Sequence, residues 1–255
     1  MLKNGMPIGY VQLCSLFGSS EVNFNMFETY RGGDAGWLYG RALATIHHLT
    51  KSDCFVLDPY QLGGNGNTEG LKTGAWWFYY KMGFRPRDPE IRRMGLKEAR
   101  KVKANPRYRT PISVLKKLGE VEMYLYLGKQ REDVLSVFPL DHLGLHITRM
   151  LAQRFGADRE KAISTCVKEA CNLLEVTSLK GLTRPERQAR ERWSPLLVSL
   201  PGLKQWSSRD KRAVASIITA KGSQREVNNL HQLDRHTRLR KAIAELAYMP
   251  IEESS

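Results

Sequence analysis

A strand that runs into a glycine-rich turn, from which a helix starts at once, constrains this chain more than any other feature of its sequence. Val22, Phe24, Met26 and Tyr30 alternate with Asn23, Asn25 and Phe27, and a period of two predicts a strand over about 21–30. Arg31-Gly32-Gly33-Asp34-Ala35-Gly36 breaks it, and Leu38, Ala42, Ile46 and Leu49 then recur on one face of a helix. At such a junction unpaired backbone N–H groups converge and the helix dipole adds partial positive charge. A phosphate or pyrophosphate is suited to that position, and glycine lets it approach the backbone.

The neighbouring segments predict a layered fold. Lys3-Asn4-Gly5-Met6 reads as a tight hairpin turn, and Ile8–Phe17 as a strand turned by Gly18-Ser19-Ser20. Residues 54–62 form a short strand stopped by Gly63-Gly64-Asn65-Gly66-Asn67, and 69–82 form a helix ended by Gly83 as its C′ residue. The order strand, loop, helix, strand, helix predicts an α/β layer within an α+β protein. Pro89 opens a basic helix to about Ala104, and alternation at Val121, Met123, Leu125 and Leu127 predicts a late strand. Beyond about 138 the pattern is helical, over 141–154, 158–176, 184–193, 209–221 and 224–248, with 194–205 a loop around Pro195, Pro201 and Gly202. Thr183 with Glu186, and Ser207 with Asp210, read as capping boxes. Two domains follow, 1–137 with a mixed sheet and flanking helices, and 138–255 mainly helical.

Two segments carry a family resemblance. Glu28-Thr29-Tyr30-Arg31-Gly32-Gly33-Asp34-Ala35-Gly36, ahead of its helix, resembles the acetyl-CoA pyrophosphate loop of the GCN5-related N-acetyltransferase (GNAT) superfamily. Ala75-Trp76-Trp77-Phe78-Tyr79-Tyr80-Lys81-Met82-Gly83-Phe84-Arg85-Pro86 resembles that family's second signature, one helix and one strand further on. The resemblance covers roughly residues 1–86 and implies a GNAT-like sheet, N-terminally incomplete, without the first strand and two early helices of the family. It implies acyl-CoA as cofactor and an amine as acceptor. Arg31, Gly32, Gly33, Asp34, Ala35 and Gly36 would bind the CoA pyrophosphate. The strand end around Phe27 and Glu28 would part from the next strand, exposing backbone groups to pantetheine and acyl carbonyl. Tyr79 would protonate the departing thiolate, and Glu28 is the nearest candidate base for the amine. Asp34 stands where the family has its first fixed glycine; its carboxylate would either face the pyrophosphate or cap the helix. Lys72 stands where the family usually has Asn.

Composition narrows the classes. No apolar run approaches the roughly 18–20 residues that span a bilayer, and Asn4, Gly5 and Pro7 interrupt any signal-like start; a soluble cytoplasmic protein without a membrane partner is the expectation. Cys14, Cys54, Cys166 and Cys171 form no CxxC pair, and buried free thiols are expected. His142 and His146 have helical spacing but no HExxH-type carboxylate, so no metal site is expected. The net charge is +14, and residues 89–118 hold ten Lys and Arg against two acidic residues. That stretch is either a solvated helix face or, over 91–117, a nucleic-acid surface with Tyr108 placed to stack on a base. The functional expectations are therefore an acyl-CoA-dependent N-acyltransferase, a non-catalytic GNAT-like binding module, or a nucleic-acid-binding protein.

Overall fold

The computed structural model describes residues 1–251, which form an α+β protein of two compact units, Met1–Ser136 and Val137 onward. Among the described residues, every strand lies in the first unit.

The first unit is built on a five-stranded mixed sheet. Its hairpin β1 (Leu2–Lys3) and β2 (Met6–Pro7) is a separate two-stranded ribbon, turned by Asn4 and Gly5 with φ of 51° and 80°. The main sheet contains β3 (Gly9–Leu16), β4 (Ser19–Met26), β5 (Cys54–Leu57), β6 (Arg85–Pro86) and β7 (Met123–Tyr126), in the order β3-β4-β5-β7-β6. β3 and β4 pair antiparallel along their whole length, from Gly9 with Met26 to Leu16 with Ser19. β4 and β5 pair parallel, joined by α1 (Ala35–Thr50), and β7 lies antiparallel between β5 and β6.

Several boundaries differ from the sequence expectation, each for a local reason. The strand expected over 21–30 ends at Met26, because Glu28–Tyr30 close a 3-10 turn. The strand expected over 54–62 ends at Leu57. Asp58 there accepts a hydrogen bond from the Tyr60 amide and Pro59 starts a 3-10 turn, having no N–H to offer the sheet. The helix expected over 69–82 is two, α2 (Thr68–Thr73) and α3 (Ala75–Lys81), broken at Gly74 with φ of 67°. Gly83 does occupy the C′ position of α3. Its amide bonds to the Tyr80 carbonyl and the Phe84 amide to that of Tyr79, a Schellman motif. α1 buries Tyr39, Leu43, Ile46 and Thr50 rather than the face through Leu38 and Leu49, and Leu49 is 54% exposed.

α4 (Pro89–Ala104) follows the sheet's β6, capped by the Asp88 side chain on the amides of Glu90 and Ile91. α5 (Ile112–Leu118) then leads to β7. One core joins these elements, with Val22, Phe55, Leu57 and Met123 from the sheet against Tyr39, Leu43, Trp76, Tyr79 and Leu118 from the helices. A chain of buried hydroxyls, Ser15–Ser20–Ser52–Thr50 with links of 2.7–2.8 Å, ties the start of β4 to the end of α1.

The second unit is all helix among its described residues: α6 (Leu140–Phe155), α7 (Arg159–Leu173), α8 (Arg184–Ser199), α9 (Ser208–Lys221), α10 (Val227–Arg235) and α11 (Thr237–Tyr248). Thr183 and Glu186 form the full reciprocal capping box, and Ser207 accepts from the Asp210 amide. α8 runs on through Pro195 to Ser199, where the sequence predicts a loop from 194. Apolar burial of Pro195 and Leu197 outweighs the one backbone bond that proline cannot make. The span 224–248 is divided at His236, whose ring nitrogen accepts from the Leu239 amide as an N-cap. All four cysteines are free, but only Cys54 and Cys166 are buried; Cys171 is half-buried and Cys14 is exposed on β3.

The tightest backbone crossing in the first unit is at Gly64, where an added Cβ would stand 2.1 Å from the Gly119 carbonyl oxygen. Gly64→Ala should therefore destabilise the fold by about 1–3 kcal/mol, the range for overpacking. Urea unfolding measures it, and an unchanged midpoint would show that 64 and 119 do not cross this closely.

Candidate functional site

The site arises where two parallel strands part. β4 pairs with β5 only at Ser19–Cys54, Ser20–Phe55 and Glu21–Val56. β5 then stops at Asp58-Pro59, while β4 continues to Met26. The gap opens a cleft of about 500 Å³. Phe24, Asn25 and Met26 of β4 form one wall, and Tyr60 and Gln61 of the turn after β5 form the other. Arg31, Gly32 and Ala35 line the end nearest α1, and Ala75, Phe78 and Tyr79 of α3 also line the cleft.

Gln61 bridges the parted strands. Its Oε1 accepts a hydrogen bond of 3.3 Å from the Phe24 amide and one of 3.1 Å from the Tyr79 hydroxyl. Two donors, one from β4 and one from α3, thus meet at one oxygen on the facing wall. The Tyr79 ring is 4% exposed and packs edge-on against Tyr39, Phe78 and Phe84. Burial disfavours the phenolate and pushes this hydroxyl far above the ordinary tyrosine value. Tyr79 is a neutral proton donor throughout the physiological range.

At the turn, the Tyr30 amide bonds to Phe27, the Arg31 amide to Glu28 and the Ala35 amide to Gly32. The amides of Gly32, Gly33, Asp34, Gly36 and Trp37 have no acceptor among the described residues. They stand at the N-terminal end of the 16-residue α1, so its dipole reinforces them. Gly32 and Gly33 have no positive φ and no atom within 4 Å of an added Cβ. Neither backbone conformation nor packing within the chain requires glycine at these two positions.

The structure brings some of the sequence-predicted residues together and separates others. Arg31, Gly32, Ala35 and Tyr79 all line the cleft. Gly33 and Gly36 belong to the same turn without lining it. Asp34 does neither of the two things the sequence leaves open. It makes no side-chain cap, lies outside the cleft lining, and its exposed carboxylate sits 3.7 Å from the Lys3 ammonium. Phe27 packs edge-on against Tyr10. Glu28, the expected base, opens the 3-10 turn, is exposed and does not line the cleft; the geometry gives it no role on a ligand there. The carboxylate that does line the cleft is Glu69, in the first turn of α2, and it pairs with the Arg31 guanidinium across the opening. Arg31 Nε also holds the Met26 carbonyl at 2.9 Å, which fixes the end of β4.

No family profile, curated protein or solved structure matches this chain. The site therefore stands on its own geometry. Gln61 and Glu69 are the members that sequence reasoning missed. Asp58-Pro59 was the available signal for Gln61, since it ends a strand three residues before a polar side chain.

Other candidates lie elsewhere. His146 Nε2 is 3.1 Å from the Met249 carbonyl oxygen, and no group of three His, Cys, Asp or Glu suited to a metal ion occurs among the described residues. No described helix is long and apolar enough to cross a membrane.

The raised Tyr79 hydroxyl has a consequence for stability. As pH rises past about 10, the ordinary value for tyrosine, the unfolded chain loses this proton first while the folded chain keeps it. Its contribution is therefore full below that pH and is lost above it. Tyr79→Phe should flatten the alkaline fall in unfolding free energy by up to about 1.4 kcal/mol per pH unit. Urea titrations at pH 9 to 11 test this, and parallel slopes for the two proteins would place the hydroxyl in water.

Proposed function

We propose that this protein is an acyl-CoA-dependent N-acyltransferase of the GNAT type, which transfers an acetyl or other acyl group from CoA to an amine. The single observation that carries the reading is the convergence of the Phe24 amide and the Tyr79 hydroxyl in the gap between β4 and β5. A thioester needs a donor for its carbonyl oxygen and an acid for its leaving sulfur, and these two groups are suited to the two tasks once the Gln61 side chain, which holds both, turns aside. The open glycine turn adds an anion-binding element at one end of the same cleft, where a pyrophosphate would meet the free amide of Gly32 and, just outside the lining, those of Gly33, Asp34 and Gly36.

In this reading the bound amine attacks the thioester carbonyl directly. The carbon–sulfur bond breaks as the amide bond forms, the Tyr79 proton passes to the CoA thiolate, and the proton lost by the amine restores the phenol. Most of the rate enhancement comes from positioning, because the cleft holds both reactants against fixed donors. Glu69 takes over from Glu28 as the carboxylate available to receive the proton of the amine, and it reaches that role by releasing Arg31. We place the reaction in the cytoplasm, a reading supported by four unpaired thiols.

Two measurements test this. Acetyl-CoA or CoA at millimolar concentration should raise the melting temperature, as a ligand that binds only the native state must; an unmoved transition would remove the assignment. Tyr79→Phe should lower kcat on an acceptor amine by about 100-fold or more while CoA still stabilises the protein. Unchanged turnover in this variant would leave a cofactor-binding fold whose chemistry does not run through Tyr79. Cofactor binding with no transfer to any amine would leave a non-catalytic GNAT-like module.

A further inference from the structure

We infer that the exposed face of α4 is a docking surface for duplex nucleic acid, bound through its phosphates and independently of base sequence. The helix buries Gly95 and Glu98, and half-buries Ile91, Met94 and Val102, against the first unit. At about 100° per residue, the remaining half of its circumference carries Arg92, Arg93, Lys97, Arg100 and Lys103. Leu96 runs between them. Arg92 and Lys103 fall on one flank of that ridge, and Arg93, Lys97 and Arg100 fall on the other.

These charges are not spent within the protein. Arg92, Lys97, Arg100 and Lys103 have no side-chain hydrogen bond or ion pair among the described residues, and Arg93 reaches only the Pro89 carbonyl. The helix's one basic residue with a carboxylate partner, Lys101, pairs with buried Glu98 at 2.6 Å. A face with five unneutralised cations repels itself and is stabilised by a partner of dense negative charge.

The arrangement selects the partner. From Arg92 to Lys103 the cations extend over roughly 17 Å of helix, and they flank a ridge on both sides. A helix of this kind meets the phosphates of both strands when it lies along a groove about 12 Å wide. A single strand offers phosphates to one flank only, and single-strand binders add aromatic platforms for the bases. No such platform is present on this face: Tyr108, the residue placed by sequence to stack, instead donates its hydroxyl to Glu98 at 2.7 Å. The face also lacks the broad apolar stripe with which an amphipathic helix enters a lipid surface, since Leu96 is its only large apolar residue. The cations flank the ridge, where they meet phosphates, and Leu96 on the ridge itself has no hydrogen-bonding group for a base edge, so the binding is sequence-independent.

The test uses the full chain and a fluorescein-labelled 24-base-pair DNA duplex, followed by anisotropy from 50 to 200 mM KCl. Three to five phosphate contacts predict a loss of affinity of about 40- to 500-fold across that range. Lys97→Gln alone should lower the slope of log affinity against log salt by about 0.9, and Arg93→Gln with Lys97→Gln and Arg100→Gln should abolish measurable binding. These side chains are exposed, and an unchanged circular dichroism spectrum and melting temperature confirm that the variants fold. No binding to the duplex at 50 mM KCl would overturn the inference, as would a triple variant that binds like the parent. Equal or tighter binding to a single strand, or to vesicles of anionic lipid, would overturn it too.

Discussion

The early end of β5 is the constraint on which the rest of the first unit's site depends. Parallel strands that stay paired leave no room between them, and each backbone donor in the gap is satisfied by its neighbour. Here Pro59 removes a donor and Asp58 holds the Tyr60 amide, so the chain curls into a 3-10 turn after only three residue pairs. β4, continued by its antiparallel pairing with β3, runs five residues further to Met26. The Phe24 amide is thereby left in a gap, where a buried donor without an acceptor is costly. The same curl that creates the orphan carries Gln61 to it. Its side-chain oxygen then collects the Tyr79 hydroxyl as well, so one dipeptide, Asp58-Pro59, sets the position of three groups in the cleft.

Tyr79 shows how packing and chemistry share one residue. Its ring belongs to an aromatic cluster with Tyr39, Phe78 and Phe84, and nothing about that cluster by itself asks for a hydroxyl. Tyr39, at the centre, has a buried hydroxyl with no hydrogen-bond partner among the described residues. Tyr79 differs only in lying at the edge of the cluster, where its hydroxyl emerges into the cleft beside Gln61. The Schellman turn at Gly83 contributes by stopping α3 two residues beyond Tyr79, so that Phe84 folds back into the core and supports the ring from the other side.

Much of this was legible in the sequence because it rests on local rules. The Asn4-Gly5 hairpin, the glycine turn opening α1, Gly83 as a C′ residue, the Asp88-Pro89 start of α4 and the Thr183–Glu186 box each follow from backbone preferences of the residues named. What was not legible depends on contacts between distant segments. Helical periodicity points to the face of α1 through Leu38, Ala42, Ile46 and Leu49, whereas packing buries the one with Tyr39, Leu43 and Ile46. Pro195 reads as a breaker, yet burial holds it inside α8. Glu28 is adjacent to the turn in sequence but is carried away from the cleft by a single 3-10 turn, whereas Glu69, 38 residues from Arg31 in the chain, is brought back to pair with it.

The electrostatics of the first unit divide in the same way. Arg31 is the cation at the glycine turn, and its charge is matched by Glu69 and directed to the Met26 carbonyl. An anion at the turn would therefore meet neutral amides aimed by α1, which act at short range and would weaken little as salt rises. On α4 the reverse holds: full charges stand on an exposed face with no partner, acting at long range and screened within about a Debye length. The cation at the cleft is thus matched, while five on α4 are not. Small, defined anions suit the first arrangement and extended polyanions suit the second, and ionic strength separates the two because only the second depends on it steeply.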